Sequence, residues 1–263
     1  MYPARPTSER VASLLAAFAV FLVAGCSGED GQAQGAAETT EAPGTAAEAG
    51  PAEAPAQDLL DLTQYGVDEG SVMTAVIAVV DFSDFGCIYC ANFHLTDYPV
   101  LHEEFVAGGD VLWKYVPITI GNFPNGDLAG LTGICTNQLG PAGSFARMRD
   151  HLFVEREAWL NAAPSEARAL FVSYAATIGL DPAAFEACVD GEGATAELEQ
   201  NNDLARRVGV TGTPYFLVQG SPVRGAPPLA NFQEVMRGIV AEARGAAGPA
   251  QPGAGPQGSA PDA

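Results

Sequence analysis

Eight residues, AVIAVVDF from Ala75 to Phe82, form an apolar run broken only by Asp81. Such a run, rich in Val and Ile and without alternation, is the pattern of a strand covered on both faces. After the turn-like SDFG, a helix is expected from near Cys87 through CANFHLTDYPVLHEEFV, with Pro99 kinking or breaking it. DVLWKYVPITI, Asp110 to Ile120, reads as a second strand. The pattern then turns helical, with Gly and Pro breaks, through DLAGLTGICTNQLG, PAGSFARMRDHLFVER and PSEARALFVSYAATIGL. DPAAFEACVDG is a short helix with Asp181 as N-cap and Pro182 at its first position. TAELEQNNDLARRVGV is another, ending near Gly209. TPYFLVQGSPVRG reads as a hairpin around a Gly-Ser-Pro turn, and LANFQEVMRGIVAEA as a closing amphipathic helix.

The chain ends are of different character. Arg5 and Arg10 precede an uncharged stretch from Val11 to Ala24 and then Gly25-Cys26. A basic region, a short apolar core and small residues describe a secretory signal over residues 1–25. The core falls short of the roughly 20 apolar residues that span a bilayer. Val23 to Cys26, VAGC, resembles the lipobox of bacterial lipoproteins, which implies cleavage before Cys26 and lipid on its sulfur. An ordinary signal peptide or an uncleaved anchor are the alternatives. Residues 26–57 follow as an acidic tether, with no Lys or Arg and too little apolar surface to offset ordering. Residues 245–263 are a Gly/Pro/Ala-rich tail. The folded body is thus expected within 58–244, with no repeat and no second membrane span. A net charge of -20 argues against nucleic acid as a partner.

Export places the cysteines where disulfides persist. With Cys26 lipidated, Cys87, Cys90, Cys135 and Cys188 remain, an even set that allows three pairings. Cys87 and Cys90 stand one helical turn apart at a helix start, a separation that suits a disulfide. There, unpaired N–H groups and the helix dipole favour a thiolate on Cys87, while Cys90, one turn in, is more buried and attacks second. The competing readings are a zinc ribbon, a metal site built from Cys87, Cys90 and His94, and an inert structural disulfide. An exposed DFG approach argues against the last. His94 reads more simply as a surface or packing residue.

The strand-plus-CxxC segment VVDFSDFGCIYC, together with GVTGTPYFLVQG, resembles the thioredoxin superfamily. GICTNQ, RMRDHLF and FEACVD resemble the inserted helices of its DsbA-like branch. The resemblance runs from Ser71 to about Ala243. It implies an α/β protein: a thioredoxin fold in two parts, 58–120 and 191–244, around an inserted helical domain, 121–190. It implies a cis Thr213-Pro214 bond beside the cysteines, where an extended substrate pairs by strand addition. It assigns Asp81 to a buried acid that passes a proton to and from the inner sulfur; a strand-end Asp capping the SDF turn is the other reading. It also carries a second cysteine pair, which here would join Cys135 to Cys188; two buried free thiols are the alternative. The chain departs from the branch at Ile88-Tyr89, where the best-known oxidases have Pro-His. Neither residue offers a charge to a thiolate, and Tyr89 is instead placed to contact substrate.

The expected function is thiol–disulfide exchange with exported client proteins by a membrane-anchored lipoprotein, in the periplasm or at the cell surface. An oxidase is expected, recycled by a membrane redox partner, with no cofactor beyond the Cys87–Cys90 disulfide and no metal. The alternatives are a reductase or isomerase with a specific client, and a metal-delivery lipoprotein using Cys87, Cys90 and His94. Metabolic labelling with a fatty acid should mark the wild-type chain and miss Cys26→Ala; equal labelling of both would end the lipobox reading.

Overall fold

The computed structural model describes residues 65–247. The signal region, Cys26, the tether and the tail from residue 248 lie outside the described residues. Five strands form one mixed sheet: β1 (Val67–Glu69), β2 (Ile77–Ser83), β3 (Val111–Pro117), β4 (Tyr215–Val218) and β5 (Ser221–Arg224). Their order is β1-β3-β2-β4-β5; β2 and β3 run parallel and the other pairs antiparallel. β1 has no counterpart in the sequence reading, because three residues, Val-Asp-Glu, are too few to show a period.

The apolar run sits at the centre of this sheet, as its composition requires. Period-two alternation sends Ile77 and Val79 to one face and Val80 and Phe82 to the other. The first pair joins Phe93, Leu101, Trp113, Phe216, Phe232 and Met236; the second joins Val116, Ile118, Leu204 and Val210. Helix α9 (Leu229–Ala247) covers the first face.

The helix after β2 departs from expectation. It starts at α1 (Ile88–Asn92) and continues through a π-helical turn at Phe93–Asp97, α2 (Tyr98–Leu101) and a second π-helical turn at His102–Val106. Pro99 occupies the first turn of α2 and does not break the path. Proline removes one α-type hydrogen bond, and flanking wide turns absorb that loss without ending the helix.

Between β3 and β4 come α3 (Gly126–Leu139), α4 (Ser144–Val154), α5 (Arg156–Leu160), α6 (Pro164–Thr177), α7 (Pro182–Val189) and α8 (Glu192–Arg207). Asp181 caps α7, its carboxylate accepting from the Ala184 N–H at 2.8 Å. Helix α8 serves both parts of the molecule. Ala194 and Leu198 pack with the inserted helices, whereas Leu204 and Ala205 pack under the sheet. The hairpin turn falls at Gln219-Gly220, not at Gly-Ser-Pro. Both residues have positive φ, 48° and 80°, as a two-residue turn matched to strand twist needs.

Cys135 of α3 and Cys188 of α7 are joined by a disulfide across a sequence separation of 53. On the chain-entropy account, closing such a loop stabilises by about 4 kcal/mol. Replacing both cysteines with Ala should lower the urea midpoint of the reduced-pair protein by an equivalent of about 2–4 kcal/mol. An unchanged midpoint would show that the bond does not restrain the unfolded chain.

Candidate active site

The turn from β2 into α1 places the two cysteines. Cys87 is the N-cap of α1, with φ -79° and ψ 123°, and its N–H bonds to the Asp84 carbonyl at 3.0 Å. Cys90 lies one turn further, fully buried, and both are free thiols. The Cys87 Sγ lies 3.4 Å from the Thr213 carbonyl oxygen, which accepts from the thiol. The Thr213-Pro214 bond is cis. Sequence positions 126 residues apart therefore meet at one sulfur.

The two thiols are driven in opposite directions. Cys87 is brought down from 9.0 to about 5, first by a hydrogen bond from the Cys90 thiol. The Thr213 side chain and the N–H groups of Cys90 and Tyr89 add to this, against burial, which pushes it up. Cys90 is raised well above its ordinary range, chiefly by burial and then by its bond to Cys87. These shifts favour the thiolate on Cys87 and keep the proton on Cys90.

The DFG approach is buried, not exposed: Asp84 and Phe85 are each 1% accessible. Phe85 stacks on Tyr115, and the Phe123 ring lies over both Gly86 and Gly121. A Cβ on either glycine would come within 2.4 Å of that ring, so the close approach requires glycine. Arg156, from α5, donates to the Gly86 carbonyl at 2.7 Å. Asp84 accepts from the Gly86 N–H at 2.9 Å and the Gly121 N–H at 3.1 Å. Burial raises its pKa from 3.8 to about 6, against those two bonds.

Asp84 and Arg156 escaped the sequence reading. Asp84 had a signal, since an Asp two residues before a Gly in a turn commonly bonds that residue's N–H. Arg156 had none, being 70 residues distant from the carbonyl it holds.

Asp81 is buried on the α1 side of β2, not at a strand-end cap. Its carboxylate accepts from Ser83 Oγ at 2.6 Å and Trp113 Nε1 at 3.2 Å, and pairs with His94 Nε2 at 2.9 Å. Neither cysteine is among its partners. His94 is buried, not on the surface. Its ring stacks on Phe153 and contacts Tyr98 and Tyr115, and burial lowers its pKa. With Nε2 engaged by Asp81, His94 does not join Cys87 and Cys90 in a ligand set. Among the described residues no group of three or more His, Cys, Asp or Glu side chains could hold a metal ion.

Tyr89 stands 69% exposed beside the cysteine pair. With Asn92, Thr96, Thr213, Pro214 and Gly225 it lines a groove of about 400 Å³. A thiol at a helix start with a lowered pKa, a fully buried thiol one turn on and an adjoining groove can together form and resolve a mixed disulfide.

Comparison with known proteins places this architecture. A family model described as Thioredoxin matches residues 70–237. The chain is 30% identical over 154 residues to a Na(+)/H(+) antiporter NhaA of Herminiimonas arsenicoxydans, covering 58% of this chain and 22% of that protein's length. It is 22% identical over 177 residues to the Disulfide bond formation protein D of Bacillus subtilis, covering 65% of this chain and 74% of that one. The crystal structure of Wolbachia pipientis alpha-DsbA1 superposes with a TM-score of 0.64 at 19% identity, over 73% of this chain and 98% of that one. The chain belongs to the thioredoxin family, with the DsbA-like architecture of a thioredoxin fold interrupted by a helical insertion.

Proposed function

We propose that this chain is a thiol–disulfide oxidoreductase that acts outside the cytoplasm as an oxidase of exported proteins. One observation carries the reading: a thiol at a helix start brought down to about 5, one turn from a thiol driven far up. A low pKa on the outer cysteine stabilises the reduced pair, which makes the disulfide more oxidising. The DsbA-like fold and the similarity to a disulfide bond formation protein support the same chemistry.

In the forward step a client thiolate attacks Cys87 Sγ of the Cys87–Cys90 disulfide. The bond breaks and its electron pair leaves on Cys90, which takes a proton. A second client thiolate then attacks the client sulfur bound to Cys87 and expels the Cys87 thiolate. The client loses two thiol protons; one ends on Cys90 and one in solvent, because Cys87 stays ionised at neutral pH. The Thr213 backbone edge beside Pro214 holds the extended client, and Tyr89 contacts its side chains in the groove. A membrane redox partner reoxidises the pair. A lipid on Cys26 would tie the enzyme to the membrane, with residues 26–57 as its reach. Ile88-Tyr89 supplies no cation, so the couple is a weaker oxidant than those with Pro-His between the cysteines.

Alkylation of the reduced protein against pH tests the assignment. Cys87 should react from about pH 5 upward and Cys90 only at far higher pH; a reversed order sinks it. Cys90→Ala should accumulate mixed disulfides with exported proteins, and Cys87→Ser should form none.

Stability carries the same signature. Cys87 has a folded pKa of about 5 against 9.0 unfolded. A depressed acid contributes stability in full above its unfolded value and loses it as pH falls through the folded one. The reduced protein should therefore gain on the oxidised protein between about pH 5 and 9. Thermal melts of both forms across that range measure it; a flat difference in Tm contradicts the thiolate.

A further inference from the structure

The resemblance to the family names Asp81 as the acid beside the cysteines, but the structure directs attention to another. The Asp81 carboxylate pairs with the His94 ring and accepts from Ser83 and Trp113, whereas the two oxygens of Asp84 accept from backbone N–H groups, those of Gly86 and Gly121. Asp84 lies within the active-site turn itself. Its carbonyl receives the Cys87 N–H, and its carboxylate receives the N–H of Gly86, the residue before Cys87. Its backbone also reaches the Cys90 thiol. The residue is buried, 1% accessible.

The charged and titratable groups around it are few. Cys87 and Cys90 face it from α1, Asp127 from α3 and Tyr115 from β3. Arg156 of α5 reaches only the Gly86 carbonyl. Among the described residues, no hydrogen bond or ion pair joins a cationic side chain to the Asp84 carboxylate. A thiolate on Cys87 therefore acts on Asp84 as an uncompensated like charge in a low-dielectric pocket, and such a charge favours the protonated acid. Forming the Cys87–Cys90 disulfide removes that charge without moving Asp84 away.

We propose that Asp84 is a redox-linked proton site: it takes up a proton when the Cys87–Cys90 disulfide is reduced and releases it when the disulfide reforms. The inference rests on the proposed cycling of that pair. Reduction adds two electrons, leaves Cys87 as thiolate and places one proton on Cys90; Asp84 takes a further fractional proton from solvent. By linkage the effect is reciprocal, so ionised Asp84 raises the pKa of Cys87 and weakens the oxidant as pH rises through the Asp84 range. The raised value of about 6 in the dithiol state puts that range within reach of an acidified extracytoplasmic compartment.

The test uses the full chain in both redox states. Mass spectrometry first reports whether a chemical oxidant forms the Cys87–Cys90 disulfide; failure overturns the function proposed above and this inference with it. With the disulfide formed, the side-chain carboxyl carbon of Asp84 is titrated by NMR in each state, its resonance assigned by its loss in Asp84→Asn. The midpoint should lie higher in the reduced protein by on the order of one pH unit. Equal midpoints for Asp84 in the two states overturn the inference and leave thiol exchange intact. As a second reading, thiolate absorbance of Cys87 should follow a titration with two inflections in the wild type. Asp84→Asn should show one, at lower pH. A merely structural Asp84 would leave the number of inflections unchanged.

Discussion

The turn from Asp84 to Cys87 has no freedom of its own, and the site depends on that. The Asp84 carboxylate ties it to Gly121, Arg156 holds the Gly86 carbonyl, and Phe123 closes over both glycines. Two of these three restraints come from the chain leaving β3 and one from the inserted helices. The insertion thus serves chemistry as well as bulk: it keeps Cys87 at the head of α1, where backbone N–H groups can hold a thiolate. A loosened turn would move a sulfur that sits 3.4 Å from the Thr213 carbonyl.

Beneath the turn lies a second constraint, a buried polar column. Asp81 and His94 pair with no exposure, braced by Ser83 and Trp113. Glu69 and Arg149 pair close by, with Tyr98 donating to Glu69 at 2.9 Å and the Arg149 guanidinium over the Tyr98 ring at 4.8 Å. Such pairs add little net stability when complete, but removing one partner leaves a buried charge and costs roughly 3–5 kcal/mol. They therefore act as a lock on register. β1 reaches the inserted helix α4 through Glu69 and Arg149, which is how three residues of strand are held in place.

Much of the fold was legible in the sequence because local apolar patterning marks its elements. The apolar run Ala75–Phe82 read as a covered strand, and the CxxC that follows read as a helix start; the structure has both, at Ile77–Ser83 and from Ile88. The resemblance that rests on these motifs placed Thr213-Pro214 beside Cys87, a pairing that spacing alone could not give. Other parts were not legible. β1 is too short to show alternation. The hairpin turn lies at Gln219-Gly220 because both residues have positive φ, which apolar patterning does not report. Pro99 was read as a breaker because the rule assumes α-type bonds, and π-helical turns relax that assumption.

At the site the division follows the range of the forces. The sequence by itself determined that Cys87 stands at the helix start and Cys90 one turn further in, since both follow from a three-residue separation along one helix. Tertiary structure decided which acid faces the pair. Asp81 and Asp84 are three residues apart, yet one spends its charge on His94 and the other lies buried beside Cys87. It also decided that His94 is buried and that Arg156 clamps Gly86 across 70 residues. Electrostatics and desolvation depend on distance in space, and only the folded chain sets those distances.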